Sequence, residues 1–457
     1  MLIFKSKTPF SQKQRETMFF RFSTLIIIFC NIFGAAWSSE FYPISQMSGK
    51  KISQVIISGN KRTTNTTISQ ELQLKPGETL TEEKANTSIQ QLKNLRIFDK
   101  VNLHYRASKN NSNNVDVIAN VSDRWTTIPI FKAGSGGGSS YYTVGAYDVN
   151  AFGRYLELGA QYQNYNGKNG AVTWFRNPRF FGKRILIGFD IWHLQLNQNL
   201  YEQKSGNLVG AYTNTRTRIH GFAKKELKSW FELGLGFDYM MDDFTQFGLS
   251  DKQVIANQQN QFNSPASTTQ NFLELNLRLG KLNYDRFLVE GYQSDIDLRS
   301  TFSSLSSDEN SVELQIKNTY FIKLDHKQNI GFNLVYGYTN TPLIQHHFYL
   351  GGLFEVRGYV DQRFHGKAFV RSNIEYRIPS YQTSWLVLQH ILFIDAGRIS
   401  QSHSEIINNK GTSFASAGFG IRFISPKIYR FNARLDVAKP LANESGIDVS
   451  FGLQQFF

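Results

Sequence analysis

The sequence predicts an all-β membrane protein, a 16-stranded antiparallel transmembrane β-barrel preceded by one small α+β domain of order β-α-α-β-β. Three observations predict it. From residue 124 onward, aliphatic and aromatic residues alternate with charged residues and glycines in many short segments, the period of two that suits strands between lipid and an aqueous lumen. Mean hydropathy is −0.35, and beyond the amino end no apolar run reaches the ~18 residues that a spanning helix needs. Only a closed barrel then satisfies the backbone in hydrocarbon. The third observation is a signal for export at the amino end.

Lys5, Lys7, Lys13, Arg15 and Arg21 precede an apolar run over residues 25–33, which ends in small residues at Ala35, Ala36 and Ser38. Residues 1–38 therefore read as a secretory signal peptide. Met18 alone begins a compact version of the same signal. The single cysteine, Cys30, lies in this run behind Phe29, a poor context for lipidation, so the mature chain is expected to contain no cysteine. That excludes disulfides and thiolate metal sites. The 50 Lys and Arg against 36 Asp and Glu leave a net charge of +14. No arginine cluster or basic helix concentrates it, so no nucleic-acid partner is expected. The excess suits the anionic head groups of a lipid bilayer.

Residues 39–50 are expected to be a linker, with no helix able to plug a pore. Residues 51–123 form the small domain. A first strand over 51–57 is stopped by the turn pair Gly59-Asn60. A short helix over 66–72 is closed by Lys75-Pro76-Gly77. A second helix begins at Thr81, with Glu82 and Glu83 at the positive end of its dipole and Ala85, Ile89, Leu92 and Leu95 at helical spacing. Two strands follow over 100–105 and 115–121. This order, with Ser58-Gly59-Asn60 and Leu95-Arg96-Ile97-Phe98-Asp99-Lys100-Val101, resembles a POTRA domain. In that family a glycine usually precedes the phenylalanine, where Ile97 stands here. The resemblance implies that client chains or partner proteins bind by adding a strand to the sheet edge.

The barrel is expected over 124–457. Its sixteen segments begin near Trp125, Ser139, Arg154, Gly170, Lys183, Val209, Lys228, Gln270, Val289, Ser311, Asn329, Lys367, Trp385, Ser413, Tyr429 and Gly446. An even number is the rule for single-chain bacterial barrels. Short turns such as 150–153, 225–228, 325–328 and 425–427 are expected to face the periplasm. Long polar connections at 243–269, 341–366 and 400–412 are expected outside.

The stretch 351–359 reads as a loop, and its Arg357 needs a carboxylate partner if it is buried. Glu375 and Asp395 are the candidates. Val356-Arg357-Gly358-Tyr359, then Glu375 and Arg377, then Asp395-Ala396-Gly397 are the marks by which the chain resembles the BamA/TamA/FhaC superfamily of POTRA-plus-barrel outer-membrane proteins, here with a single POTRA domain. Asp148 to Gly153, Arg176-Asn177-Pro178 and the alternating end Val449, Phe451, Leu453, Phe457 are further marks. The resemblance implies that the sixth outer loop, 341–366, folds into the lumen and that Arg357 meets the wall near Glu375 and Asp395. It also implies that the terminal segment 446–457 is a signal for barrel assembly.

Pairing of that last strand with the first is expected. The first runs into Gly134, Gly136, Gly137 and Gly138, which either weaken a seam that opens sideways into the membrane or simply make an outer turn. No hydrolase, zinc or phosphate-loop motif occurs, so no enzyme, cofactor or metal is expected. The expected role is assembly, insertion or translocation of exported polypeptides at the outer membrane through the POTRA domain and that seam. Its partners would be the bilayer, periplasmic clients and accessory periplasmic proteins or lipoproteins. A polypeptide secretion pore and a passive channel or surface antigen are the alternatives.

Overall fold

The computed structural model describes residues 41–457 apart from 110, 137, 138, 166, 325, 326, 353, 354, 429, 430, 443, 445 and 453–457. The expected signal peptide lies outside the described residues, as do Gly137, Gly138, Leu453 and Phe457.

The small domain is a three-stranded sheet carrying two helices on one side. Strands β1 (Lys51–Ser58), β2 (Phe98–Ala107) and β3 (Asn114–Asp123) lie in the order β1-β3-β2, with β3 parallel to β1 and antiparallel to β2. Residues 39–50 are not simply a linker. Ile44–Met47 forms a one-turn helix, α1, whose Met47 is buried in the domain core beside Ile52 and Leu80, and Tyr42 donates to the Tyr105 carbonyl at 2.9 Å. An apolar Met at this spacing gains more by burial than by remaining in a solvated tether.

Helices α2 (Asn65–Ser69) and α3 (Glu82–Asn94) follow. The Thr81 hydroxyl caps α3 by accepting the Lys84 N–H at 3.2 Å. Leu92 and Leu95 then pack with Ile68, Phe98 and Val121. The left-handed residue before Phe98 is Arg96, with φ 62°; Ile97 is not in that conformation.

Sixteen strands, from β4 (Thr127–Gly136) to β21 (Asp448–Gly452), make one antiparallel sheet. Expected starts at Ser139, Ser311 and Asn329 are the observed ones, whereas those at Lys228 and Tyr429 move to Phe231 and Asn432. Lys228 still belongs to β9 (Leu208–Lys228), so the chain reverses at 229–230 rather than at 225–228. Among the described residues, the one break in sequential pairing lies between β14 (Asn329–Thr339) and β17 (Ala368–Gln382). Their connection carries a small hairpin of β15 (Phe348–Leu350) and β16 (Phe364–Gly366). Alternation decides the faces: Leu235, Leu273, Ile374 and Ile394 are exposed on the outside, while Asp238, Glu274, Glu375 and Asp395 are buried within. No helix among the described residues is long and apolar enough to cross a membrane.

The POTRA-like domain sits against the short turns. The Thr64 N–H donates to the Gly153 carbonyl at 2.9 Å, Glu71 pairs with Arg179 and Arg184, and Lys93 reaches Asp285 at 3.2 Å. Lys427 pairs with Asp99, also at 3.2 Å. These turns therefore mark the periplasmic end. At the same end the foot of β4 meets the turn between β19 (Thr412–Ile424) and β20 (Asn432–Pro440), where the Trp125 N–H donates to the Lys427 carbonyl at 3.0 Å.

The sheet is thus curled until its two ends approach. The expected pairing of first and last strands is not seen among the described residues: β4 pairs with β5 (Ser139–Ala151) and β21 with β20. Gly134 and Gly136 stand opposite Tyr141 and Ser139, inside the β4–β5 hairpin.

Candidate functional site

The loop between β14 and β17 is held inside the barrel by a fully buried arginine. Arg357 is 0% exposed. Its Nε and Nη2 donate to the two oxygens of Asp395, each at 2.8 Å, and its backbone N–H donates to the same carboxylate at 3.2 Å. Nη1 donates to Glu375 Oε1 at 2.7 Å and lies 3.8 Å from Asp436. The guanidinium plane rests 3.5 Å above the ring of Phe393, so both its edges and one face are occupied. This geometry is specific to a planar, five-donor cation.

The strands explain why these groups converge. Glu375 and Arg377 lie two apart on β17 and face inward together, and Arg377 donates to Glu375 Oε2 at 2.9 Å. Asp395 on β18 (Val387–Ser400) stands directly opposite Asn373, whose amide donates to it at 3.0 Å. Arg422 on β19 joins Glu375 at 3.2 Å to Asp436 at 2.5 Å, and Arg434 on β20 lies 3.5 Å from Asp436. A Cβ at Gly420 would overlap the Asp436 carboxylate, so the bare backbone there makes room for the pair. Four guanidiniums and three carboxylates thus alternate in a network that spans β17 to β20.

The rest of the loop motif is fixed by packing. Val356 and Tyr359 are buried with Leu350, Phe364, Phe369 and Phe414. The Tyr359 hydroxyl lies 2.6 Å from the Ala442 carbonyl and accepts the Ala415 N–H at 3.2 Å. Gly358, with φ 90°, lets the loop backbone come close to β20, since a Cβ there would stand 3.3 Å from that of Ala438.

On the far side, Gln362 accepts the Asn199 N–H at 2.8 Å from β8 (Ile185–Tyr201). The buried Arg363 pairs with Glu444 at 2.5 Å and donates to the Glu202 carbonyl at 3.3 Å. The loop therefore bridges the lumen, from strands late in the sheet to strands early in it.

Of the residues singled out from sequence, Val356, Arg357, Gly358, Tyr359, Glu375, Arg377 and Asp395 come together here. Val449 and Phe451 lie apart from them on β21, exposed on the outer face. Asp436, Arg422, Asn373 and Arg363 were not anticipated. Asp436 and Arg434 were legible as the inward face of an alternating segment, but nothing in their own neighbourhood linked them to residue 357.

The comparisons agree with this architecture. The model of the Omp85 superfamily domain matches residues 150–457. The chain belongs to the Omp85 superfamily. A POTRA model, described as a surface antigen variable number repeat, matches residues 50–124, so the small domain is a POTRA domain and the protein resides in the outer membrane with that domain in the periplasm. A curated relative, outer membrane protein assembly factor BamA of Neorickettsia risticii (strain Illinois), is 22% identical over 428 residues, covering 89% of this chain and 54% of that protein. The chain thus spans about half the length of that relative.

Among solved structures, BamA from Haemophilus ducreyi lacking POTRA domains 1–3 aligns with a TM-score of 0.52 at 19% identity, covering 88% of this chain and 83% of that one. CdiB from Acinetobacter baumannii gives 0.57 at 14%, covering 88% and 73%. CdiB from Escherichia coli gives 0.61 at 12%, covering 89% and 75%. These structural likenesses are likenesses of fold.

Proposed function

We propose that this Omp85 protein inserts or translocates exported polypeptides at the outer membrane, receiving them at the POTRA domain and passing them through the seam between β4 and β21. The observation that carries the reading is the uneven hold on the sheet. Arg357 binds β17, β18 and β20 into one block through buried charge. Among the described residues, 434–438 of β20 face 448–452 of β21 and no ladder joins β21 to β4, while β17 and β18 face each other from Ala368–Ser400 to Gln382–Val387. Two edges that no ladder or buried ion pair joins open before a block that buried charge holds together. The BamA relative, whose name is that of an assembly factor, supports the same reading. No catalytic role is proposed.

A polypeptide secretion pore is the second reading, favoured by the cavity of about 650 Å³, lined by polar and apolar residues alike, at the periplasmic mouth of the lumen. Cysteine pairs joining β4 to β21, in a mature chain expected to carry no other cysteine, separate the two. Oxidation should stop delivery of envelope proteins to the outer membrane in cells depleted of the native copy, and reduction should restore it. Full delivery with the lock closed would sink the seam reading and leave the pore.

A further inference from the structure

We propose that the periplasmic rim of strands β5 to β10 binds anionic phospholipid, whose headgroups are held by Arg154, Lys183, Lys225 and Lys228; the proposal needs the outer-membrane location and not the seam. The level of the bilayer fixes where these residues stand. On β10 (Phe231–Thr245) the outward residues run from Phe231 through Leu233, Leu235 and Phe237 to Met241, apolar throughout, and Asp243 follows. A strand needs roughly 9–11 residues to cross the hydrocarbon, so this one series spans it. The boundary with the periplasm therefore lies just below Phe231, at Lys228 and Trp230.

Two neighbouring strands begin their outward apolar series in the same way, just after a basic residue. Lys183 precedes Ile185, Ile187 and Phe189 on β8, and Arg154 precedes Leu156 and Leu158 on β6 (Leu156–Tyr165). Lys225 on β9 stands directly opposite Ile185 on one side and Leu233 on the other, so it shares their outward face. In a bilayer the stem of such a lysine lies in hydrocarbon and its ammonium reaches the headgroups. Exposed rings accompany the cations: Phe152 is 77% and Phe181 82% exposed, and the Lys228 ammonium lies 5.9 Å over the ring of the half-exposed Trp230. Rings so placed belong at the interface between membrane and water.

Charge balance distinguishes this half of the rim. The four cations are exposed, and among the described residues none of them pairs with a carboxylate. The carboxylates of the same stretches are engaged, Glu226 by Arg184 at 2.6 Å, Glu232 by Arg278 at 3.1 Å and Glu157 by the indole N–H of Trp174 at 2.7 Å. On the opposite wall the rings remain and the row of cations does not. Trp385 is exposed in the turn 383–386, which holds no charged residue. The sequence before β12 (Leu288–Thr301) sets Asp285 beside Arg286, and that at the end of β13 (Ser311–Lys323) mixes Lys323 and Lys327 with Asp325.

Unpaired cations at this level meet lipid phosphate, which they bind by charge-assisted hydrogen bonds. Basic residues beside a membrane favour anionic lipid, each adding to the attraction, whereas a zwitterionic headgroup brings its own cation and gains little. The POTRA domain docks at two of these turns through Gly153 and Arg179, so lipid bound here lies beside the docked domain.

The test uses the full mature chain folded into phosphatidylcholine vesicles with a trace of spin-labelled phosphatidylglycerol or, in parallel, spin-labelled phosphatidylcholine. The protein should immobilise the anionic label about twofold or more over the zwitterionic one, and less so as salt rises. Arg154→Gln with Lys183→Gln, Lys225→Gln and Lys228→Gln should keep heat-modifiable migration and lose the preference. Lys204→Gln with Lys252→Gln, Lys410→Gln and Lys439→Gln, which removes equal charge from the outer side, should keep it. Equal immobilisation of the two lipids, a preference retained by the folded rim variant, or one lost equally in both variants overturns the proposal. So does displacement of the label by inorganic phosphate at fixed ionic strength, which would mark a site for the free ion.

Should the rim variant fail to fold, a photoreactive phosphatidylglycerol on the unaltered chain decides. Crosslinks within residues 152–158, 181–187 or 225–233 uphold the site, and crosslinks only elsewhere overturn it. The seam reading stands or falls by its own cysteine lock, whichever lipid the rim selects.

Discussion

Replacing Arg357 by alanine removes the one cation that Asp395 contacts through both carboxylate oxygens and one of the three that face Glu375. Asp395 is 0% exposed, so it cannot turn to water, and only neutral donors, the backbone N–H at 357 and the amide of Asn373, are left to hold it. Breaking a buried pair by deleting one partner costs about 3–5 kcal/mol, and the stacking on Phe393 is lost as well. If that loss falls on the docked loop, the ratio of docked to released loop drops about a hundred- to several-thousandfold. The assay is limited proteolysis of the purified, folded protein, following cleavage within 341–366, with heat-modifiable migration as the check that the barrel is intact. Arg357→Lys should fall between the two, because a lysine keeps the charge and loses the paired geometry. Cleavage of the alanine variant within threefold of the native rate would refute the claim that this pair holds the loop.

Gly358→Ala should lower the melting temperature and speed the same cleavage, because φ is 90° and the new methyl group stands 3.3 Å from Ala438; strain of about 1–3 kcal/mol is expected, and an unchanged melt would contradict it. Glu71→Gln should loosen the POTRA domain from the barrel by about 1–3 kcal/mol, since the buried carboxylate is held by Arg179 and Arg184, seen as faster amide exchange over 62–72 with exchange in β17 to β20 unchanged. Burial, and after it the charge of Glu82, pushes the Tyr105 phenol up to about 12. Its folded value lies above its unfolded value near 10, so its contribution to stability is whole below pH 10 and is lost as pH climbs toward 12, at about 1.4 kcal/mol per unit. Alkaline unfolding of Tyr105→Phe should lack that slope.

Much of the fold was legible because a strand in a membrane must alternate. Leu273 to Leu279 on one side and Glu274 to Arg278 on the other specify both a strand and its orientation, and the same period places Glu375 beside Arg377. What alternation cannot supply is distance around the ring. Asp436 comes from a strand far along the chain, and its approach to Arg357 depends on how β19 and β20 stagger against β17. The contact of Arg363 with Glu444 and the Glu202 carbonyl needs the sheet to curl round before it exists at all. The glycines at 134 and 136 were ambiguous for a local reason: glycine marks both a weak strand end and a hairpin, and facing Tyr141 and Ser139 across the hairpin concerns one edge of β4, not the edge at the seam. Met47 was read as tether because four residues carry too little periodicity to announce a helix.

The burial of the Arg357 network has a bearing on where this molecule lives. Small ions pass freely into the space beneath the outer envelope, so the ionic strength there follows the surroundings of the cell, from fresh water to brine. Dissolved ions weaken attraction between charges only where they can come between them, and Arg357, Glu375 and Asp395 offer no such access. The tether should grip alike in rain and in seawater, whereas the half-exposed bridge between Lys93 and Asp285 should slacken as the medium grows saltier.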